Sequence, residues 1–476
     1  MIRKIPSDFV LGASLSAYQY EGAAAGAPHE PCVWDDWLSQ PGRGFDARRA
    51  SGGYEHYRED IELARQNHIK CLGISLSWSR LMKADGTADE AGVAHYREVL
   101  EYCRARGIEP YVTLCHMDMP SWLAARGGWL AGEEAVAAFT AYARLVFERL
   151  GTLAGHWVTM ASPAALAEQG YITGCYPPGE QRAVGHAVQA LHNMLIAHAR
   201  VVLMFHELGL TGEIGLTHGA EPIYPVGDSA EAERAAELDD ALSNRMVFDA
   251  VLDGGYSPHT LTCLQAILEG SGESGLMPVL TGEADIISQA ADKVDFLGLS
   301  YFTTHFVEPW TPFTEEREEE RRHHLALPGC SRRVSHRELP ATDWDWSIYP
   351  HGLYEMICRL HEEYPSRPLY VMECGLGRHE EPDAQGTIDD DNRIDYLRQH
   401  LTVALDAREY GCDVRGFLVW SLVDTLSWSS GYEKRYGLIH VDYDTMERRA
   451  KKSAQWLGGV AEQRLLLTLA PVQATI

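Results

Sequence analysis

Apolar residues in this chain gather into eight short, nearly unbroken runs. They are FVLGASLSA from residue 9, CLGISLSW from 71, PYVTLCH from 110 and HWVTM from 156, then EIGLTH from 213, VDFLGLSYF from 294, LYVMECG from 369 and GFLVWSLVD from 416. Continuous apolar character, rather than strict alternation, marks strands buried on both faces, as in a parallel sheet. Between the runs the period changes. In YEHYREDIELARQNH, Tyr54, Tyr57, Ile61 and Ala64 recur at helical spacing. HYREVLEYCRARG, AVAAFTAYARLVFERLG, AERAAELDDALSNRMVFDAVLDGG, GLYEMICRLHEEY and RIDYLRQHLTVALDAREYG behave alike, and several stop at glycine, as helix ends do.

Strand followed by helix, eight times over, predicts an α/β fold: a single (β/α)8 barrel with long βα loops, spanning residues 1–476. A doubly wound open sheet is the alternative, but no GxGxxG follows the first strand. No interdomain linker is visible. The stretch 303–346 reads as a loop insertion, and its TEEREEERRHH run reads as a solvated face or a lid over the site. Chemistry in such a barrel sits where strands end. The polar or amphipathic residues there are Gln19, His116, Ser162, Tyr301, Glu373 and Trp420.

Charge narrows the partners. A formal net charge of −27 argues against nucleic acid, whose phosphates would be repelled. MIRKIPSDFV lacks the apolar core of a signal peptide, and no run of about 18 apolar residues predicts a membrane span. The most apolar helix, ALHNMLIAHARVVLMF, is interrupted by His192, Asn193, His198 and Arg200. A cytoplasmic location is expected, with the ten cysteines as reduced thiols, Cys115 and Cys374 among them. No metal or other cofactor is expected, since no metal-ligand spacing stands out. The expected partner is a small molecule; whether copies of the chain assemble is left open.

Several segments together resemble glycoside hydrolase family 1, the β-glucosidase-like retaining enzymes. PSDFVLGASLSAYQYEGA is similar to the family's opening, GIEPYVTLCHMDMPSWLAARGGW to its third strand, and LYVMECG to the approach to its nucleophile. VRGFLVWSLVDTLSWSSGYEKRYGLIHVD is similar to its last strand and closing loop. The resemblance implies a nucleophile at Glu373, sugar-binding Gln19 and His116, and sugar-platform tryptophans at Trp420 and Trp428. It also exposes departures. The Thr-x-Asn-Glu-Pro motif reads TMASP, so Ser162 stands where the resemblance puts the acid/base Glu and Ala161 where it puts the Asn. Gly73 replaces an Arg, Phe302 a Tyr, Ser427 a sugar-gripping Glu, Met117 a Trp and Cys374 an Asn.

Retaining cleavage of a glycoside uses two carboxyl groups about 5 Å apart, one attacking and one shuttling the proton. A serine hydroxyl is too weak an acid for the second role, and general acid catalysis is worth roughly 10²- to 10⁴-fold. The implied enzyme therefore acts through Glu373, with His116 as a companion, on an activated or unusual glycoside. Ser162, Tyr301, Trp420, Trp428 and Gln19 would bind the substrate. Two alternatives remain at this stage. One is non-hydrolytic acid–base chemistry, such as elimination, cyclisation or rearrangement of a polyoxygenated metabolite. The other is a non-catalytic sugar-binding relative, because fold alone does not carry function.

Overall fold

The structure, a computed structural model, describes residues 2–23, 29–43, 45–273, 284–312, 325–336 and 338–468. Each predicted apolar run overlaps a strand: Val10–Leu15, Cys71–Ser75, Glu109–Cys115, His156–Ala161, Glu213–Gly219, Phe296–Tyr301, Leu369–Cys374 and Val414–Trp420. All neighbours pair in parallel, and the last strand pairs with the first, closing the barrel. Its interior is filled by side chains from several strands, among them Cys71, Tyr111, Val158, Phe296, Tyr370 and Leu418. The barrel is thus a packed core, and the open space lies at the ends of its strands.

Helices cover the outside. Gly53–Gln66, Glu90–Ala105, Glu133–Leu150, Pro350–Glu363 and Asp391–Tyr410 each turn a buried apolar stripe inward. Helix Val184–Glu207 is long and apolar enough to cross a membrane by length and composition, but 83% of its most apolar window is buried in the fold. Its hydrophobicity is used in packing against helix Glu133–Leu150 and the neighbouring strands.

The insertion is more ordered than a loop reading implies. His305–Pro309, Ala326–Leu327 and Ser331–Val334 join Ile223–Pro225 in a four-stranded sheet. These strands are short, and Ser331–Val334 carries two arginines, so apolar patterning does not reveal them. The buried arginines instead find carboxylate partners: Arg332 pairs with Glu308 and Arg333 with Asp239. The TEEREEERRHH run lies outside the described residues.

Candidate active site

Glu373 reaches the cavity through an irregularity in its strand. On Leu369–Cys374, Tyr370 and Met372 face the barrel interior. Strict alternation would then turn Glu373 outward. The pairing register slips between Val371 and Glu373 on one side and between Val371 and Cys374 on the other. Such a bulge re-aims a side chain, and Glu373 lines the cavity while Cys374 turns away toward the Tyr396 hydroxyl. Ser300 Oγ donates to Glu373 Oε2 at 2.9 Å. His116 Nδ1 lies 3.6 Å from Glu373 Oε1. Burial lowers the His116 pKa and the nearby carboxylate raises it, with burial the larger effect, so the imidazole favours its neutral form.

The cavity has a volume of about 850 Å³, the scale of a small-molecule site. Gln19, His116, Ser162, Glu373, Trp420 and Trp428 all line it, from five different strand ends and the closing loop. Gln19 is fixed at both ends: its Oε1 accepts from Ser16 Oγ at 2.7 Å and its Nε2 donates to the Leu426 carbonyl at 2.7 Å. Trp428 stacks on Trp34 with ring centroids 4.1 Å apart, and Trp420 lies 5.6 Å from the His116 ring. Ser162 caps a short helix, Pro163–Ala167, in the left-handed backbone region at φ 50°, and donates its N–H to the Thr217 carbonyl. A non-glycine residue there is uncommon and worth relating to function.

Tyr301 does not meet the expectation of a substrate contact. Its strand alternates regularly, with Ser300 and Phe302 lining the cavity, so Tyr301 points outward. It is fully buried, and its hydroxyl bonds to Thr304 and to the Tyr349 carbonyl. At Gly73, a Cβ would lie 3.0 Å from the Ser14 side chain and 3.5 Å from Leu418. Neighbouring side chains already crowd the position where the resemblance puts an arginine.

Lys434 is a site residue that the strand-end reading missed. It comes from the loop after the last barrel strand, is 3% exposed and lines the same cavity as Ser427, Tyr436 and Glu373. Its ammonium lies 3.4 Å from the Trp346 ring centroid, with Trp344 and Tyr436 also beside it. Among the described residues no carboxylate lies within ion-pair distance, and burial lowers its pKa to about 7. Gly377 makes room for it: a Cβ there would come within 2.8 Å of Lys434 carbons. A lysine inside the segment SGYEKRYG is a signal the sequence carried, but nothing in its spacing showed that it turned inward. Glu168, six residues past Ser162, also lines the cavity and is buried.

Two trios of metal-compatible donors exist among the described residues, His29–Cys32–Asp35 and Glu237–His259–Cys263. Neither lines the cavity. In the first, His29 Nε2 and Asp35 Oδ2 already bond each other at 2.7 Å. All ten cysteines are free thiols, nine of them buried, including Cys115 and Cys374.

A closed barrel with a carboxylate, a histidine and tryptophans gathered at the strand ends has the layout of a glycosidase. The chain belongs to glycosyl hydrolase family 1, whose family description matches residues 1–465. A 6-phospho-beta-galactosidase of Clostridium acetobutylicum is 38% identical, with 98% of each chain covered. One from Lacticaseibacillus rhamnosus is 37% identical, covering 98% of this chain and all of the relative. Among solved structures, the family 1 β-glucosidase of Thermotoga maritima superposes with a TM-score of 0.87 at 30% identity, over 98% of this chain and 99% of that one.

Proposed function

We propose that this family 1 protein cleaves β-glycosides whose sugar carries a phosphate, with Glu373 as the attacking carboxylate and Lys434 as the phosphate grip. The observation that carries this reading is Lys434. Asp343 acts on this ammonium only from beyond ion-pair distance; a buried cation without a direct partner is costly, and the cost is relieved when a ligand brings the anion. Ser427 lines the cavity on the same closing loop and bears no charge, so no protein carboxylate there competes for the cation. The names of the relatives given above point to the same substrate class. The overall charge of −27 makes a local cation the more necessary for capturing an anion.

In this reading Gln19, His116, Trp420 and Trp428 position the sugar ring. Glu373 Oε forms a bond to the anomeric carbon, the bond to the leaving oxygen breaks, and water later releases the sugar from Glu373. Ser162 occupies the place of the acid/base residue and contributes a hydroxyl, which cannot protonate the leaving oxygen. The proton has another source, or the leaving group departs without one.

A second reading has one observation in its favour. The neutral-favouring His116 beside Glu373 could serve as an acid–base pair for elimination or rearrangement of a polyoxygenated molecule. Paired assays separate the two. Aryl 6-phospho-β-galactosides should be turned over at least ~10²-fold better in kcat/KM than their unphosphorylated counterparts, a preference of a size that hydrogen-bonding and ionic sites supply. A 2-deoxy-2-fluoro analogue of the phosphorylated sugar should leave a covalent adduct on Glu373. Equal turnover of both series, or no adduct with the best leaving group, would sink the proposal.

A further inference from the structure

The substitution at position 162 leaves the leaving-group side of the cavity without its usual acid, and the structure offers another. Among the described residues three carboxyl side chains line the cavity: Glu373, Glu221 and Glu168. Glu373 is the attacking group. Glu221 is partly exposed, and its Oε2 is engaged with His305 Nε2 at 2.7 Å. Glu168 is 5% exposed and stands on the same helical segment that Ser162 caps. Between them Ala164 and Ala165 line the cavity, and their methyl groups leave that wall open. A π-helical turn begins at Glu168 and runs to Thr173, the kind of irregularity that often marks functional positions.

The surroundings of Glu168 favour its protonated form. Two buried carboxyls, Glu168 and Asp239, share one guanidinium, Arg333. Arg333 is committed to Asp239, to whose Oδ1 its Nε and Nη2 donate at 3.1 and 2.7 Å. Its Nη1 is 3.6 Å from Glu168 Oε2. Arg333 Nη2 also donates to Ser243 Oγ at 2.6 Å, so the Ser243 hydroxyl proton is turned to Glu168 Oε1, 2.5 Å away. Oε2 is left for a proton. Burial raises the Glu168 pKa most strongly and Asp239 adds to it, while Arg333, Ser243 and His305 pull it down; the balance is upward.

We propose that Glu168 is the proton donor that takes over from position 162, a claim that rests on the glycosidase reading above. As Glu373 bonds to the anomeric carbon, the electron pair of the breaking bond goes to the leaving oxygen, which receives the Glu168 proton directly or through one water. In the second half the Glu168 carboxylate takes a proton from the attacking water, whose oxygen bonds to the anomeric carbon as the bond to Glu373 breaks. Atoms and charge return to their starting state.

The test uses the full-length protein and 6-phospho-β-galactosides with leaving groups of graded acidity. Glu168→Gln should lose ~10²- to 10³-fold in kcat/KM on alkyl leaving groups and less than about tenfold on 2,4-dinitrophenyl. The basic limb of its kcat profile, measured at saturating substrate where the bound phosphate keeps Lys434 charged, should vanish, and azide should restore turnover as glycosyl azide. Glu168→Asp, which keeps an acid, should keep the limb. Loss of equal size for every leaving group, or no loss at all, would overturn the proposal. If the wild type turns over none of these substrates, the glycosidase reading fails by itself, and a substrate-free measurement still judges Glu168. Carbon-13 titration of glutamate carboxyls, assigned by difference against Glu168→Gln, should find this carboxyl ionising above the ordinary glutamate value. Ionisation complete by pH 4.5 would overturn the assignment.

Discussion

Replacing Lys434 by methionine should stabilise the unliganded protein, and do so most at low pH. Burial brings this ammonium from 10.5 down to about 7. At about 1.36 kcal/mol per unit, the gap of about 3.5 units corresponds to roughly 5 kcal/mol of penalty for the charged form. The sign follows from proton counting. Between pH 7 and 10.5 the unfolded chain holds a proton on Lys434 that the folded chain lacks, so stability rises with pH across that window. Below pH 7 the whole penalty is present. Denaturant unfolding should therefore find Lys434→Met more stable than wild type by up to roughly 5 kcal/mol at pH 6, with the gain about 2–3 kcal/mol smaller at pH 9. Methionine keeps the length and apolar contacts of the stem, so little packing is lost. A phosphorylated sugar reverses the balance, because its anion stabilises the ammonium. At pH 8 its binding should draw close to one proton from solution, seen as a buffer-dependent heat in calorimetry, and Lys434→Met should abolish that uptake. Phosphate loses its second proton near pH 6, so affinity should peak between about pH 6 and 7. A variant less stable than wild type at pH 6, or ligand binding without proton uptake at pH 8, would refute the reasoning.

Three further outcomes follow from the geometry. Glu373→Gln should keep the fold and lose both turnover and the covalent adduct, checked by thermal unfolding and mass spectrometry of the trapped protein. Tyr301→Phe strips a buried hydroxyl from Thr304 and the Tyr349 carbonyl. It should cost about 1–2 kcal/mol of stability and leave kcat/KM within about twofold of wild type, since the ring does not line the cavity; a selective kinetic loss would place it in the site after all. Asp118, buried beneath the Trp78 and His116 backbone amides, has its pKa raised to about 7, chiefly by burial. Its folded form holds a proton between pH 3.8 and 7 that the unfolded chain has released, so its stabilising contribution is present below pH 3.8 and lost as pH rises through 7. Asp118→Asn should be the more stable protein at pH 8, by up to roughly 4 kcal/mol, with the difference shrinking toward pH 4.

The pattern of apolar runs is enough to specify the barrel. Eight strands buried on both faces must read as apolar runs, and the helices covering them must read as amphipathic, so the pattern and the architecture are two statements of one burial requirement. It also placed Gln19, His116, Ser162, Glu373 and Trp420 at strand ends, because chain order fixes which residues follow each run. Side-chain direction at those ends is another matter. Regular alternation on Phe296–Tyr301 turns Tyr301 outward, and that much could have been read from the period of two. The slip after Val371 turns Glu373 inward against the same rule, and it depends on how strand Leu369–Cys374 pairs with both neighbours. The remaining site residues are set by segments far apart in the chain packing together. Lys434 is 61 residues past Glu373 and Arg333 is 165 past Glu168, and nothing local in either segment marks it as a site. The closing loop carries the lysine into the cavity among Trp344, Trp346 and Tyr436. The small inserted sheet brings Arg333 and Asp239 against Glu168. Burial then gives these residues their chemistry, because the cost of a charge depends on what packs around it rather than on what precedes it in the chain.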